Sequence, residues 1–573
     1  MKTVRVNFFK VILLVVAFVV VACEVDELKT ESVVTKGTEV NGERAEQTLD
    51  YQKEEGFSCL TVEQEPLNPS DFENSIHLGE KIKIPQSIEI MKSAWDVVAR
   101  NGLFSEGNNP IKVNRLYVRF LPTENHQVME LARYDENLDL FDFPLHYEFE
   151  PTKARNDCYR DRELPLNTPS PLYTVVDADY AFPSFMPYEI IENLYMPDED
   201  ASIEKELANL LEEVAENIAL DIDPLQGVFS KNDRGWGDKI TSKEKWRPEG
   251  RIRMIDYSEG EPTDGQAVPV KGVQVLARSG LKWSWGITDE YGEFRVKKEF
   301  KNKVNYSLRW SNHEWYIIKG SSVTRAWHFG PKREGIWDEV IDGTIQSFYG
   351  ILHRAAYDSF YAENYGVTRP MRNKPGNDRI WIRAFNRASK GKRKGAAGYF
   401  YDGVPHTIGI YAKDSEDWRI GEDYDRDHNN LFKTVVHEFG HASHRNLFYI
   451  DKNLKWNKIE LIVAESWAEG VGVEMLKNPY PKLHRSFVNR KTCWDSNYTY
   501  VVKDLLYPNG IESGLNPSNP SYQLNFPLYH LKEIEDGMGH TWEEWQDNLT
   551  QGLNKFPASL VRGTFDYWET ACD

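Results

Sequence analysis

The stretch KTVVHEFGHASH, residues 433–444, decides how the C-terminal half of this chain is read. On an α-helix, His437 and His441 are separated by about 400°, so both imidazoles leave one face a single turn apart. That spacing lets two neutral ring nitrogens bind one metal ion, and imidazole is a good ligand for zinc. Glu438 lies beside the first histidine and cannot easily reach the same metal position. It is placed instead to take a proton from a water at the metal. His444 shares the face but sits about 10 Å along the axis from His437, too far for one tetrahedral ion. A supporting or surface role is expected of it. Apolar Val435 and Val436 precede the pair, as a helix with one buried face requires.

Two helices are predicted around this stretch, at roughly 427–447 and 457–477. Catalytic zinc normally takes three protein ligands and keeps one open position, so a third donor is needed. The second helix carries AESWAE, residues 464–469. Glu465 is the expected ligand. Glu469, four residues on and on the same face, is placed to hydrogen-bond a ligand histidine and orient it. The cofactor expected is one zinc ion per chain.

His437-Glu438-x-x-His441 followed by a helix bearing Glu465-Ser466-Trp467-Ala468 resembles the gluzincin metallopeptidases, thermolysin-like and aminopeptidase-like. The chain departs from their pattern in having Ala464 where Asn is usual, and in a longer interval between His441 and Glu465. The resemblance covers about 250 residues, with specificity confined to these two helices. It implies a zincin-like catalytic domain at 321–573 and a strand within 398–413 that lines the cleft and pairs with substrate backbone. The segment SYQLNFPLYHLK, 521–532, resembles the family's segment with a transition-state tyrosine, which would make Tyr522 a donor to the oxyanion. Tyr529 and His530 stand behind it. The implied function is zinc-dependent hydrolysis of peptide bonds in extracytoplasmic proteins or peptides, with Glu438 as base. An endopeptidase is favoured, because no motif resembles the aminopeptidases' amino-terminus clamp. The alternative is a cell-surface binding lipoprotein that captures glycan or protein and uses the metal structurally. Glu438 argues against it, since a structural zinc needs no base beside its ligands.

Working outward, Trp337, Ile341, Ile345, Phe348, Leu352 and Ala355 recur at steps of three and four and predict one long amphipathic helix. Asp378–Asn386 alternates as a strand, and Gly398–Lys413 reads as a hairpin. Between them Arg387–Lys394 is a basic loop with five Lys or Arg in eight residues, expected to be solvated surface. Residues 246–320 read as a small β-sandwich: Val268–Ala277 alternates, Asp289–Gly292 is a turn, and Glu293–Val296 and Tyr306–Trp310 are strands. The phrases GVQV, GITDEYGEFRV and YSLRW resemble the carboxypeptidase-regulatory, or prealbumin-like, modules. Residues 57–245 form an N-terminal α/β region with no catalytic constellation. In it, Ser87–Ala99 and Glu204–Leu220 are helical and Val113–Leu121 is a strand. The expected fold class is multidomain α+β.

Sixty-nine basic against 89 acidic residues give a net charge of −20, which repels phosphate backbones and excludes nucleic acid as a partner. Lys2, Arg5 and Lys10, the apolar run Val11–Ala22 and then Cys23 read as an export signal of residues 1–22. Val20-Val21-Ala22-Cys23 resembles a bacterial lipoprotein cleavage box, which implies lipidation at Cys23 and a protein anchored to an outer membrane. Residues 24–56 are acidic and poor in aromatics, a solvated tether. Cys59, Cys158, Cys493 and Cys572 lack any C-x-x-C pair, so disulfides are expected rather than a cysteine zinc site. The pairs 59–158 and 493–572 keep each bridge within one segment.

Overall fold

The computed structural model describes residues 78–572, apart from 104–108, 136, 150–158, 162, 166–167, 227, 229–243, 321–322, 362–365, 371–378, 390–396, 402–406, 414–425, 451–457, 491, 493–497, 508–529 and 552–556. All belong to one compact unit, Phe57–Asp573, of mixed α+β structure. The N-terminal part holds β1 (Leu78–Lys81), α1 (Ile88–Arg100), β2 (Arg115–Phe120), α2 (Asn125–Tyr134), β3 (Tyr147–Phe149), β4 (Leu172–Asp177), β5 (Tyr188–Leu194) and α3 (Lys205–Ala219). Helix α1 begins where Ser87 Oγ accepts the Ile90 amide at 3.3 Å, satisfying one free donor of the first turn. Its buried stripe of Met91, Ala94, Trp95 and Val98 packs with Leu207, Leu210, Leu211 and Val214 of α3. The antiparallel sheet β4-β2-β5 has its own core with α2, around Val118, Phe120, Val128 and Leu131.

Two four-stranded sheets follow. They use β6 (Glu249–Ile255), β7 (Ala267–Pro269), β8 (Gln274–Ser279), β9 (Lys282–Ile287), β10 (Glu293–Arg295), β11 (Val304–Arg309), β13 (Trp327–Arg333) and β14 (Trp337–Ile341). One sheet has β6 between β14 and β10, with β7 also on β6; the other is β13-β11-β8-β9. Ile252 and Phe294 of the first share a core with Val275, Tyr306 and Leu308 of the second. The alternating stretch at 268–277 is two strands rather than one, β7 and β8, because the chain turns between them.

The long helix predicted from Trp337 is corrected by the structure. Trp337–Ile341 is strand β14, parallel to β6, and helix α4 (Thr344–Tyr361) begins only after it. A step of four residues is even, so the same apolar positions also fall on one face of a strand. Trp337 is buried against Tyr306, with ring centroids 5.3 Å apart. Gly343, at φ 61°, then turns the chain out of the strand in a conformation other residues avoid.

Strand β12 (Trp315–Lys319) leaves the sandwich between β11 and β13 and founds the sheet that supports the site. There β12, β15 (Ile380–Phe385) and β17 (Thr407–Tyr411) run parallel, and β16 (Gly398–Tyr401) lies antiparallel at the β17 side. Ile380, Ile382, Ile408 and Ile410 are buried in one core with α4 and α5 (His428–Ile450). Helix α6 (Leu461–Met475) packs along α5, and α7 (Pro481–Val488), α8 (Val501–Leu506), α9 (His530–Asp536), α10 (Trp542–Gln551) and α11 (Ala558–Ala571) complete the C-terminal end. Because β12 belongs to this sheet while its chain neighbours belong to the sandwich, a single apolar core runs from Ile252 to Trp568. Cys572 is disulfide-bonded. Cys23, Cys59, Cys158 and Cys493, and with them the expected pairings and lipidation, lie outside the described residues. Among the described residues no helix is long and apolar enough to cross a membrane.

Candidate metal centre

The site forms where α5 and α6 approach most closely. Gly440 makes that approach possible: a Cβ there would stand 3.0 Å from Ala468 Cα and 3.3 Å from Ala468 Cβ. With the helices this close, Glu465 of α6 reaches both histidines of α5. Its Oε2 is 3.1 Å from His437 Nε2 and 3.3 Å from His441 Nε2. The two imidazoles, centroids 4.9 Å apart, stand nearly perpendicular at 86°. One donor atom from each of His437, His441 and Glu465 lies within 4.8 Å of the other two, and all three residues are buried.

Glu469, one turn after Glu465, faces the other nitrogen of the first histidine, with Oε2 3.4 Å from His437 Nδ1. The same oxygen accepts from Lys433 Nζ at 2.6 Å. Nδ1 of His441 has no hydrogen-bond partner among the described residues. Tyr498 stacks on His437 with centroids 5.9 Å apart and an interplanar angle of 19°. Its neighbour Thr499 holds the segment to α6, donating to Ser466 Oγ at 2.7 Å. On the opposite side Phe400 of β16 lies over His441, centroids 6.4 Å apart. A Cβ at Gly398 would stand 2.9 Å from Glu438 Oε1, so β16 runs directly against that carboxylate.

The electrostatics follow from burial. Glu438, Glu465 and Glu469 are 6%, 8% and 2% exposed, three carboxylates in a space with one lysine. Burial raises the Glu438 carboxyl above its ordinary range. Burial opposes ionisation of Glu465 and Glu469 as well, but the histidines, and Lys433 in the case of Glu469, hold both below the ordinary range, Glu469 at about 2. Burial likewise disfavours a charged His437, yet its bonds to Glu465 and Glu469 hold it up to about 10. Taking charges out of water costs several kcal/mol per ion even when they are paired. A dication at the point where two imidazole nitrogens and one carboxylate converge would offset that cost, and two nitrogens with one oxygen form a donor set suited to zinc. The residues fit the ion.

His444 is fully buried rather than at the surface. Its ring packs on Phe448 and Trp467, with centroids 4.8 and 6.4 Å away, and burial pushes its pKa well below the usual value. Tyr522, Tyr529 and the side chain of His530 lie outside the described residues. Lys433 and Tyr498 also belong to the site. Lys433 precedes His437 by four residues, a spacing that puts both on one helix face. Tyr498 carried no such signal, since its segment has no periodicity and reaches the site only through the fold. No protein-family model matches the chain, and no curated protein matches it in sequence.

Proposed function

We propose that the protein is a zinc metallopeptidase of gluzincin type, in which His437, His441 and Glu465 hold the ion and Glu438 is the catalytic base. The observation that carries this reading is the convergence of His437 Nε2, His441 Nε2 and the Glu465 carboxylate, with Glu438 next to His437 on the same helix. Zinc, when bound, supplies Lewis acidity for a carbonyl oxygen and makes water acidic enough to attack at neutral pH. Glu438 accepts the proton of the attacking water and returns it to the leaving nitrogen. Its burial makes the carboxylate a stronger base, which suits that task. Glu469 accepts from His437 Nδ1 and so directs the Nε2 lone pair toward the ion. Strand β16 ends the described sheet beside Glu438, and an extended peptide can pair along such an edge. The parallel sheet, its antiparallel edge and the two packed helices support a zincin-like fold for this part.

Export and anchoring through Cys23 belong to the same proposal and rest on the N-terminal sequence alone. The deciding experiment compares zinc content and casein cleavage in wild type and Glu438→Gln. We expect about one zinc per chain in both proteins and hydrolysis only in wild type. A wild type that takes up no zinc, or a Glu438→Gln variant that cleaves at the wild-type rate, overturns the reading.

A further inference from the structure

The sheet that supports the metal centre has a second face, turned away from α4 and α5, and three arginines gather at its β12 edge. Tyr316 lies on that face, since its neighbours Trp315 and Ile317 point into the core. The bridges Ser311 to Tyr316 and Ile318 to Arg325, with the pairing of Arg309 and Trp327, bring Arg309, Tyr316 and Arg325 together from three strand segments. The guanidinium carbon of Arg325 stands 5.0 Å from the Tyr316 ring centroid, and that of Arg379 4.4 Å from the same centroid. Arg309 is only 5% exposed. Its guanidinium lies over Trp285 at 4.4 Å and donates to Gln274 Oε1 and Ser311 Oγ, both neutral acceptors.

Asp139, Asp142 and Glu314 each accept from other donors. Asp139 Oδ2 accepts the indole N–H of Trp283 and of Trp285, each at 3.1 Å. Asp142 accepts the Trp327 indole at 2.9 Å and the Arg325 amide at 3.0 Å, while the Arg325 guanidinium donates to the Leu140 carbonyl. Tyr361 donates to Glu314 at 3.3 Å. Among the described residues, neither Arg309 nor Arg325 has a carboxylate within ion-pair distance of its guanidinium. Cation–π contacts offset part of the cost of that positive charge, each about 0.5–2 kcal/mol, and the Asp139 and Asp142 carboxylates act on it from beyond ion-pair distance. The surroundings register the excess: burial, then the charge of Arg325, push Arg309 down to about 9. Burial acts to raise the Tyr316 phenol, yet Arg379, Arg325 and Arg309 hold it below its ordinary value. Arg309 is sealed in, whereas Tyr316, Arg325 and Arg379 are half-buried.

We propose that Arg325, Arg379 and the Tyr316 hydroxyl, backed by the fixed charge of Arg309, form a binding site for an oxyanion group on the sheet face opposite the metal centre. Guanidinium forks suit carboxylate, sulfate and phosphate alike, and a phenol adds one directed donor. This site is independent of the peptidase reading, because binding is measured without turnover.

The test is calorimetric titration of the full mature chain with inorganic phosphate, sulfate and acetate at matched ionic strength. Wild type is expected to bind at least one of them saturably at a single site. Arg325→Gln and Arg379→Gln should each weaken that binding roughly tenfold or more. Tightest binding of acetate assigns a carboxylate, and tightest binding of phosphate or sulfate assigns a tetrahedral ester. Tyrosinate absorbance gives a second readout: the bound anion should move one phenol's titration upward in wild type and not in Tyr316→Phe. Circular dichroism establishes that each variant is folded, and Arg325→Lys, which keeps the charge and loses the fork, replaces Arg325→Gln if that variant does not fold. Absence of saturable anion binding by wild type, or wild-type affinity in the folded arginine variants, overturns the proposal.

Discussion

Glu438 and Glu465 differ by what each touches. Among the described residues Glu438 lies beside the strand edge and forms no hydrogen bond or ion pair with His437 or His441, whereas Glu465 lies within 3.3 Å of both. Glu438→Gln should therefore keep zinc and lower kcat by at least about 100-fold. Glu465→Ala should instead lower zinc affinity itself, read by chelator competition. Normal zinc binding in Glu465→Ala with loss in Glu469→Ala would reverse the two assignments. A third carboxylate gives a pH prediction. Asp256 is fully buried and accepts from Ser258, Thr263 and Arg354, and it lies 3.4 Å from His428 at the start of α5. Burial alone would raise it, but these partners hold it down to about 2. Because its folded value is depressed, the stability it contributes is present above the ordinary carboxylate range and is lost as pH falls toward 2. Denaturant titrations should show roughly 2 kcal/mol of wild-type stability lost between about pH 4 and pH 2 through this group. Asp256→Asn should lack that component; an unchanged acid limb in the variant would remove Asp256 from the account.

At the scale of elements, the candidate metal centre depends on the distance between α5 and α6. Gly440 costs helix propensity, about 1 kcal/mol against alanine, and in return lets the backbone of α6 come close. Gly440→Leu puts a large side chain into a space where even a Cβ would touch Ala468. Overpacking of this kind costs about 1–3 kcal/mol, and the helices can relieve it only by separating, which withdraws Glu465 from the histidines. The variant should melt at a lower temperature and also bind zinc more weakly, by at least about tenfold. A lower melting temperature with unchanged zinc affinity would mean that the helix spacing does not set the ligand geometry.

Across the whole molecule, a ligand that binds only the folded state stabilises it by mass action. Zinc at about 1,000 times its Kd should add about 4 kcal/mol. Calorimetric scans with zinc and with a chelator should differ accordingly, and the difference should vanish in a variant lacking His437 and His441. One core joins the sandwich to the helices that carry His437 and Glu465. The sandwich transition should therefore move with that of the helices; a sandwich that melts separately and ignores zinc would refute the coupling. At the chain's start, Cys23→Ser should release the protein from the membrane fraction and leave peptidase activity intact. The tether expected from the acidic sequence 24–56 would span roughly 30 Å, so folding of the part that carries His437 and Glu465 should not depend on the anchor. Membrane retention of the Cys23→Ser protein would overturn the lipoprotein assignment.

The sequence by itself determined what local periodicity encodes. An apolar stripe at steps of three and four marked α3, and helices were also expected at α1 and at the segments that carry His437 and Glu465. Strict alternation marked β15 and the hairpin of β16 and β17, and the i, i+4 spacing put His437 and His441 on one face. Periodicity failed where two periods coincide: from Trp337 to Ile341 a step of four fits helix and strand equally, and only pairing with β6 made it a strand. Tertiary structure alone decided which distant groups meet. The exchange of β12 out of the sandwich, the seat of Tyr498 on His437 and the approach of Arg379 to Tyr316 depend on contacts between residues far apart in the chain. Such contacts are selected by the packing of whole faces against one another, and no short window of sequence contains both partners.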